Sequence, residues 1–387
     1  MPKAVAARKL AERVVGLKPS ATVEMTERVR NARAAGRKII GLSSGDPNIE
    51  TDPRIIAAAE RAMRGGDTHY GPPAGLPALR EAIVQRDAVR SGVSYDAADV
   101  IVTPGGKFAL LTALMGTVES GDEVLVPEPG WVSYGPCVRL CGGTPVGISM
   151  LDHIDAAALA RVVSPRTKAI IINSPVNPTG RVLSADEIAT LLAFAASHDL
   201  WILFDQVYSD LLYEGKFPNP QSLPGGQERV FVIDSLSKTF GMTGWRLGSL
   251  LTPPGLAKTI LKFIQHSIYC VPGFIQTAGV VALSLEQELV PRYRAMFRKR
   301  LETAAARLSA VPGIQCAMPP ATFYLFPSVA APDAEVAKRW LDEIDVATVP
   351  GSSFGASGTG HLRLSLTCSD RELDDALDRI ARVGIAA

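Results

Sequence analysis

The chain has 387 residues, 47% of them hydrophobic and 20% charged, which is long enough to bury one large core or two smaller ones and too apolar to stay disordered. Lys and Arg total 40 against 39 Asp and Glu, a formal charge of +1, so no net field draws the chain to nucleic acid or an anionic membrane, and any phosphate must be held locally. No uncharged apolar run reaches membrane-spanning length, and five scattered cysteines, Cys137, Cys141, Cys270, Cys316 and Cys368, argue against a disulfide framework; a cytoplasmic protein with no structural metal is expected.

In chain order, residues 1–18 are Ala-rich and basic, with Arg8, Lys9, Arg13 and Lys18, but include Glu12 and lack a signal-type apolar core; they predict a plain N-terminal helix. From about residue 99 to 253, short apolar runs (100–102, 124–126, 170–172, 202–204, 231–233 and 247–251) each end in a polar or Gly-rich turn, as strands buried on both faces do. Helical patterns lie between several of them, over residues 108–118, 184–197 (Ser184 as N-cap ahead of Glu187) and 256–266. This alternation predicts an α/β fold, a mainly parallel sheet flanked by helices. Past residue 282 the pattern changes to an Arg-rich helix over 285–308, strand candidates at 322–327 and 361–366, and a last helix from about 370. The expectation is a large domain over 46–281 and a smaller α+β domain formed by 282–387 with the segment 1–45.

Ligands of open parallel sheets bind beyond the carboxyl ends of the strands, so the residues after each run belong together. After the first comes Thr103-Pro104-Gly105-Gly106-Lys107 opening a helix, whose N-terminal amides suit a phosphate. After the third comes Asn173-Ser174-Pro175-Val176-Asn177-Pro178-Thr179-Gly180, a rigid loop that would aim the Asn177 amide at a ligand, with a cis bond expected before Pro178. The run ending at Phe204 delivers Asp205 and then Tyr208; a buried carboxylate needs a cationic partner, which a protonated heterocycle could be, since no local Lys or Arg supplies it. Then Asp234-Ser235-Leu236-Ser237-Lys238-Thr239-Phe240-Gly241-Met242-Thr243-Gly244-Trp245-Arg246 sets one Lys among small residues at a strand end, where it can form an imine, and one Arg whose fork fits phosphate oxygens.

These motifs, in this order, resemble fold-type I aminotransferases of class I/II, in the subgroup of bacterial aspartate aminotransferases; the likeness runs from Lys18-Pro19-Ser20-Ala21-Thr22 to His361-Leu362-Arg363-Leu364-Ser365. The resemblance implies pyridoxal 5'-phosphate held as a Schiff base on Lys238. It puts Asp205 on the pyridine nitrogen, Tyr208 and Asn177 on the phenolic oxygen, and Trp131 (in Pro127-Glu128-Pro129-Gly130-Trp131-Val132-Ser133-Tyr134) against the ring. It assigns the phosphate to Gly106, Lys107, Ser235 and Arg246, with Tyr70 reaching in from the second subunit of a homodimer. Arg363 and Gly45 would receive the substrate carboxylate, beside Trp131 and Asn177.

A ping-pong transamination is therefore expected, with Lys238 moving the Cα proton and Asp205 and Tyr208 assisting. Lys107 with Ser20 and Thr22 resembles the subgroup's receiver for a distal carboxylate, so aspartate or glutamate is the expected donor and 2-oxoglutarate the acceptor. Two departures keep alternatives open: Gln206 stands where the family has Glu, and Ser267-Ile268-Tyr269-Cys270-Val271 is bulkier than the family's run, so aromatic or other apolar donors become plausible if Tyr269 lines the pocket. A β-eliminating C–S lyase on the same scaffold is the other alternative. A transcription regulator would need an attached DNA-binding module, and a nicotinamide enzyme a G-x-G-x-x-G motif with its ribose-binding acid; neither pattern occurs.

Overall fold

The apolar runs assemble into one seven-stranded sheet in a computed structural model that describes residues 10–385. Across the sheet the strands are Val100–Thr103, Gly248–Leu251, Val230–Ser235, Trp201–Asp205, Thr167–Asn173, Glu123–Glu128 and Thr144–Ser149. All neighbours are parallel except Gly248–Leu251, antiparallel to both strands beside it. Because successive side chains leave a strand on opposite sides, each run feeds two cores. Ile170, Ile172, Ile202 and Phe204 pack with Leu191 on one face, while Ala169, Ile171, Leu203 and Phe231 pack with Leu110 and Leu114 on the other. Each such side chain stabilises the fold by about 1.5–3 kcal/mol. The strand Thr144–Ser149 has no apolar-run signal because it lies at the sheet edge with only Ile148 buried.

The predicted helices are present as Gly106–Thr117, Ala185–Ser197 and Ala257–Ser267. Ser184 caps the second: its hydroxyl accepts the Glu187 amide, and the Glu187 carboxylate accepts the Ser184 amide. Three further long helices, Pro53–Arg64, Pro77–Ser91 and Gly273–Ser284, belong to this part, beside shorter ones such as Tyr134–Leu140. The first is capped by Asp52, whose carboxylate accepts the Arg54 amide. Of the expected N-terminal helix, residues 1–9 with Arg8 and Lys9 lie outside the described residues, and beyond them only the turn Glu12–Val15 is helical before Ala21–Ala34.

The C-terminal part carries the expected long helix, Glu286–Ser309, and the last helix, Asp370–Val383, with Asp333–Ile344 between them. Its small antiparallel sheet sets Leu362–Ser365 between Tyr324–Leu325 and Val349–Pro350. The candidate over 322–327 shrinks to two residues because Thr322 has a left-handed backbone (φ 71°) and Pro327 has no amide for the ladder. Trp340, Leu301, Leu364 and Leu377 form the core here, joined by Ile40, whose strand Ile40–Gly41 runs parallel to Val346–Ala347. The loop that follows Gly41 brings Ser44, Gly45 and Asp46 to the cleft beside Lys238. Among the described residues no helix is long and apolar enough to cross a membrane.

Candidate active site

The carboxyl ends of the parallel strands open on a cleft of about 550 Å³, lined by Lys238, Asp205, Tyr208, Asn177, Trp131, Lys107, Arg246 and Arg363 among others. Asp205 ends its strand and is 5% exposed. It accepts hydrogen bonds from the Tyr134 hydroxyl at 2.7 Å and the Val207 amide at 3.3 Å, neither of them a cation. Burial, opposed by the Tyr134 bond, holds its carboxyl up to about 6. A cationic N–H from a bound ligand would restore the ionised form.

Lys238 lies in the helical turn Leu236–Thr239 that follows Ser235, so it emerges where a buried strand ends. Its Nζ donates to the Gly45 carbonyl at 2.7 Å. Burial brings its pKa down to about 8, an effect that Asp46 opposes and that Arg363 and Arg246 reinforce. An amine so placed is available in its neutral form near physiological pH.

One end of the cleft is an anion cradle. The amides of Gly106 and Lys107 are the first two of a twelve-residue helix and have no intrahelical acceptor. Gly105, at φ 86°, is required here: a Cβ would come within 2.7 Å of an Arg246 nitrogen. Arg246 itself has a left-handed backbone (φ 54°) and donates to the carbonyls of Thr243 and Pro104, so among the described residues its charge meets no carboxylate. Ser235 borders this end, its hydroxyl donating to Ser237 Oγ and the Leu247 carbonyl.

At the other end Arg363, on the strand Leu362–Ser365, is 2% exposed. It donates to Asn177 Oδ1 at 3.1 Å and to the Ser43 carbonyl, and its carbon Cζ stands 4.7 Å and 4.8 Å from the ring centroids of Tyr324 and Phe354. Its Nε has no partner among the described residues, and burial presses its pKa down. A buried guanidinium without an anion is costly, so this site suits a carboxylate. Tyr208 donates to or accepts from Tyr324 across 2.9 Å, and burial raises both phenols. Gly45 is constrained by the same ring, since a Cβ there would lie 2.3 Å from the Tyr324 hydroxyl.

The remaining expectations divide. The Asn177–Pro178 bond is cis, as are Glu128–Pro129 and Ser174–Pro175. Lys107 is exposed, its Nζ 5.1 Å from the Trp131 ring centroid, and Thr22 lines the cleft while Ser20 lies outside the lining, hydrogen-bonded to Thr22 across 3.0 Å. Tyr70 is 86% exposed and outside its own chain's cleft, packed edge-on against Tyr269. Tyr269 therefore does not line the cleft of its own chain. Gln206 is buried and points into a separate cavity with Asp234. Sequence reasoning missed the partners Tyr134 and Tyr324; the first stood in a quoted motif, and nothing in the second's flanks marked it.

Such a cleft, with anion seats at both ends and a reactive amine between them, belongs to an enzyme that works on small amino and oxo acids. The chain belongs to the aminotransferase class I and II family, whose sequence pattern matches residues 37–380, and it is an aminotransferase. It is similar to an aspartate aminotransferase of Geobacillus stearothermophilus, 39% identical over 97% of this chain and 98% of the relative. It is likewise similar to an aspartate/prephenate aminotransferase of Thermus thermophilus, 36% identical over 97% and 99% of the two chains. A solved structure of the Thermus thermophilus aspartate aminotransferase with maleate superposes with a TM-score of 0.91 at 35% identity, covering 97% of this chain and all of that one (100%).

Proposed function

We propose that this aminotransferase uses pyridoxal 5'-phosphate to move the amino group of a dicarboxylic amino acid, aspartate or glutamate, to a 2-oxo acid such as 2-oxoglutarate. The observation that carries the reading is the buried guanidinium of Arg363, which meets no carboxylate among the described residues and opens on the same cleft as the low-pKa amine of Lys238. Bound there, the cofactor supplies an electron-withdrawing ring that stabilises negative charge at the donor Cα. The donor set fits it: Gly106, Lys107, Ser235 and Arg246 for the phosphate, Asp205 for a protonated ring nitrogen, Asn177 and Tyr208 for the phenolic oxygen, and Trp131 for the ring face.

Arg363 grips the substrate α-carboxylate with two parallel N–H bonds, and the Gly45 backbone borders the same group. Lys238, free as an amine once the donor is bound, takes the Cα proton on Nζ and would pass it to the cofactor's imine carbon. Tyr134 holds Asp205 in place through its 2.7 Å hydrogen bond. Lys107 receives the distal carboxylate, assisted by Thr22. Prephenate, an oxo acid in the name of the Thermus thermophilus relative, is a second acceptor to test.

The same reading takes residues 46–281 as the cofactor-binding domain and the flanking segments as the second one. It makes the protein a cytoplasmic homodimer in which Tyr70 completes the partner's phosphate site. The exposure of Tyr70 and five unpaired cysteines support these assignments. The test is an absorbance spectrum of the purified protein with pyridoxal phosphate, then aspartate without an acceptor. A visible band that converts to a near-ultraviolet one is expected. No band sinks the cofactor assignment; a band indifferent to aspartate but responsive to phenylalanine overturns the donor; pyruvate and ammonia from a cysteine conjugate turn the reading to β-elimination.

A further inference from the structure

A small cavity of about 30 Å³ shares only Ser235 with the cleft, and its wall contains a buried charge cluster that the reaction described above does not use. Arg86 lies at its centre. Its three nitrogens each meet a carboxylate from a different segment: Nη2 to Asp210 at 2.5 Å, Nη1 to Asp234 at 3.0 Å, and Nε to Glu286 at 2.8 Å. Arg90 joins Asp210 and Glu286 from one turn further along the same helix. Asp210 follows Tyr208 by two residues, and Arg294 also fixes its carbonyl, at 3.1 and 3.0 Å. Asp234 immediately precedes Ser235, whose amide it accepts at 2.7 Å.

A final bond closes the set. Thr239, the residue after Lys238, donates its hydroxyl to Asp210 Oδ2 at 2.5 Å. Two segments that carry site residues, the Tyr208–Asp210 loop and the Asp234–Thr239 turn, are thus tied to one planar guanidinium, whose rigid fork fixes angles as well as distances in a way an ammonium cannot. A buried ion network of this kind adds little net stability, because desolvation offsets much of the attraction. Its value lies in geometry.

We propose that Arg86 is a positioning residue for amino transfer, holding the Tyr208 loop and the Lys238 turn in fixed relation through Asp210 and Asp234. This rests on the roles of Lys238 and Tyr208 given above. The direct test is Thr239→Val, which removes only the hydrogen bond to Asp210, together with Arg86→Lys, which keeps charge and loses the fork. Five quantities are read: thermal midpoint, dissociation constant for pyridoxal phosphate, the pH midpoint of the visible band, kcat for aspartate and KM for aspartate. Expected for both variants is a kcat lower by about 10- to 100-fold with KM within about twofold, as for small misplacements of reacting groups. The band's pH midpoint should move by at least about half a unit.

Thr239→Val that keeps kcat within about twofold and the midpoint within about 0.1 unit overturns the proposal, as does a loss confined to thermal stability. If Arg86→Lys fails to fold, Thr239→Val decides alone. A wild-type protein that shows no visible band refutes the underlying cofactor reading and this proposal with it; unchanged variants of an active wild type refute the proposal alone.

Discussion

Replacing Arg363 separates recognition of the substrate carboxylate from everything else the cleft does. The guanidinium is buried, and its Nε has no partner among the described residues, so a carboxylate arriving there meets a desolvated fork. Truncating one side of a buried, hydrogen-bonded charge pair costs about 2–5 kcal/mol. At about 1.4 kcal/mol per factor of ten, Arg363→Met should lower kcat/KM for aspartate by roughly 30-fold to a few thousand-fold. Arg363→Lys should fall in the lower half of that range, since it restores charge without the second bond. Stability should respond differently. In the free protein the buried charge is a cost, partly offset by bonds to Asn177 Oδ1 and the Ser43 carbonyl and by the rings of Tyr324 and Phe354. Arg363→Met should therefore leave Tm within about 4 °C. The assay is the single-turnover absorbance change with aspartate, repeated with a simple amine that lacks the α-carboxylate. A loss under about fivefold, or an equal loss for amine and amino acid, would refute the reasoning.

Lys107→Ala should lower kcat/KM for aspartate by about tenfold and leave alanine within about twofold, because only aspartate presents a second carboxylate; equal effects on both donors contradict the proposed receiver. In the cofactor-free protein Lys238 should react with a small acylating reagent with a midpoint near pH 8, read by mass spectrometry, and a midpoint near its ordinary 10.5 would be incompatible with a buried amine. Asp205 is held up to about 6 by burial, against an ordinary 3.8, so between those values the native state binds a proton the unfolded chain releases. Stability of the cofactor-free protein should then fall by about 3 kcal/mol as pH rises through that window. Asp205→Asn should remove that slope in urea unfolding, gaining on the wild type at pH 7 and matching it near pH 4; parallel curves would refute the assignment.

Much of this protein was legible in one dimension, for physical reasons. Strands buried on both faces must be continuously apolar, so the runs before Asn173, Asp205 and Ser235 announced both the parallel sheet and the polar residues at its carboxyl edge. Local rules also held at Ser184, whose bonds to Glu187 span three residues, and at the Gly105 turn, where a Cβ has no room. The edge strand Thr144–Ser149 escaped because half-exposed residues carry no such run.

What the tertiary structure alone decided is which distant groups meet. Tyr134 reaches Asp205 across 71 positions, Tyr324 reaches Tyr208 across 116, and the Ser43 carbonyl reaches Arg363 across 320. Arg86 gathers Asp210, Asp234 and Glu286 from segments that show nothing in common along the chain. Propensity and hydrophobic period act over a few residues, whereas charge compensation in a buried site depends on separations that only packing sets. That is why the sequence could nominate Lys238, Asp205 and Arg363, yet only the fold could show that, among the described residues, Asp205 accepts no hydrogen bond from a cation and Arg363 donates none to a carboxylate.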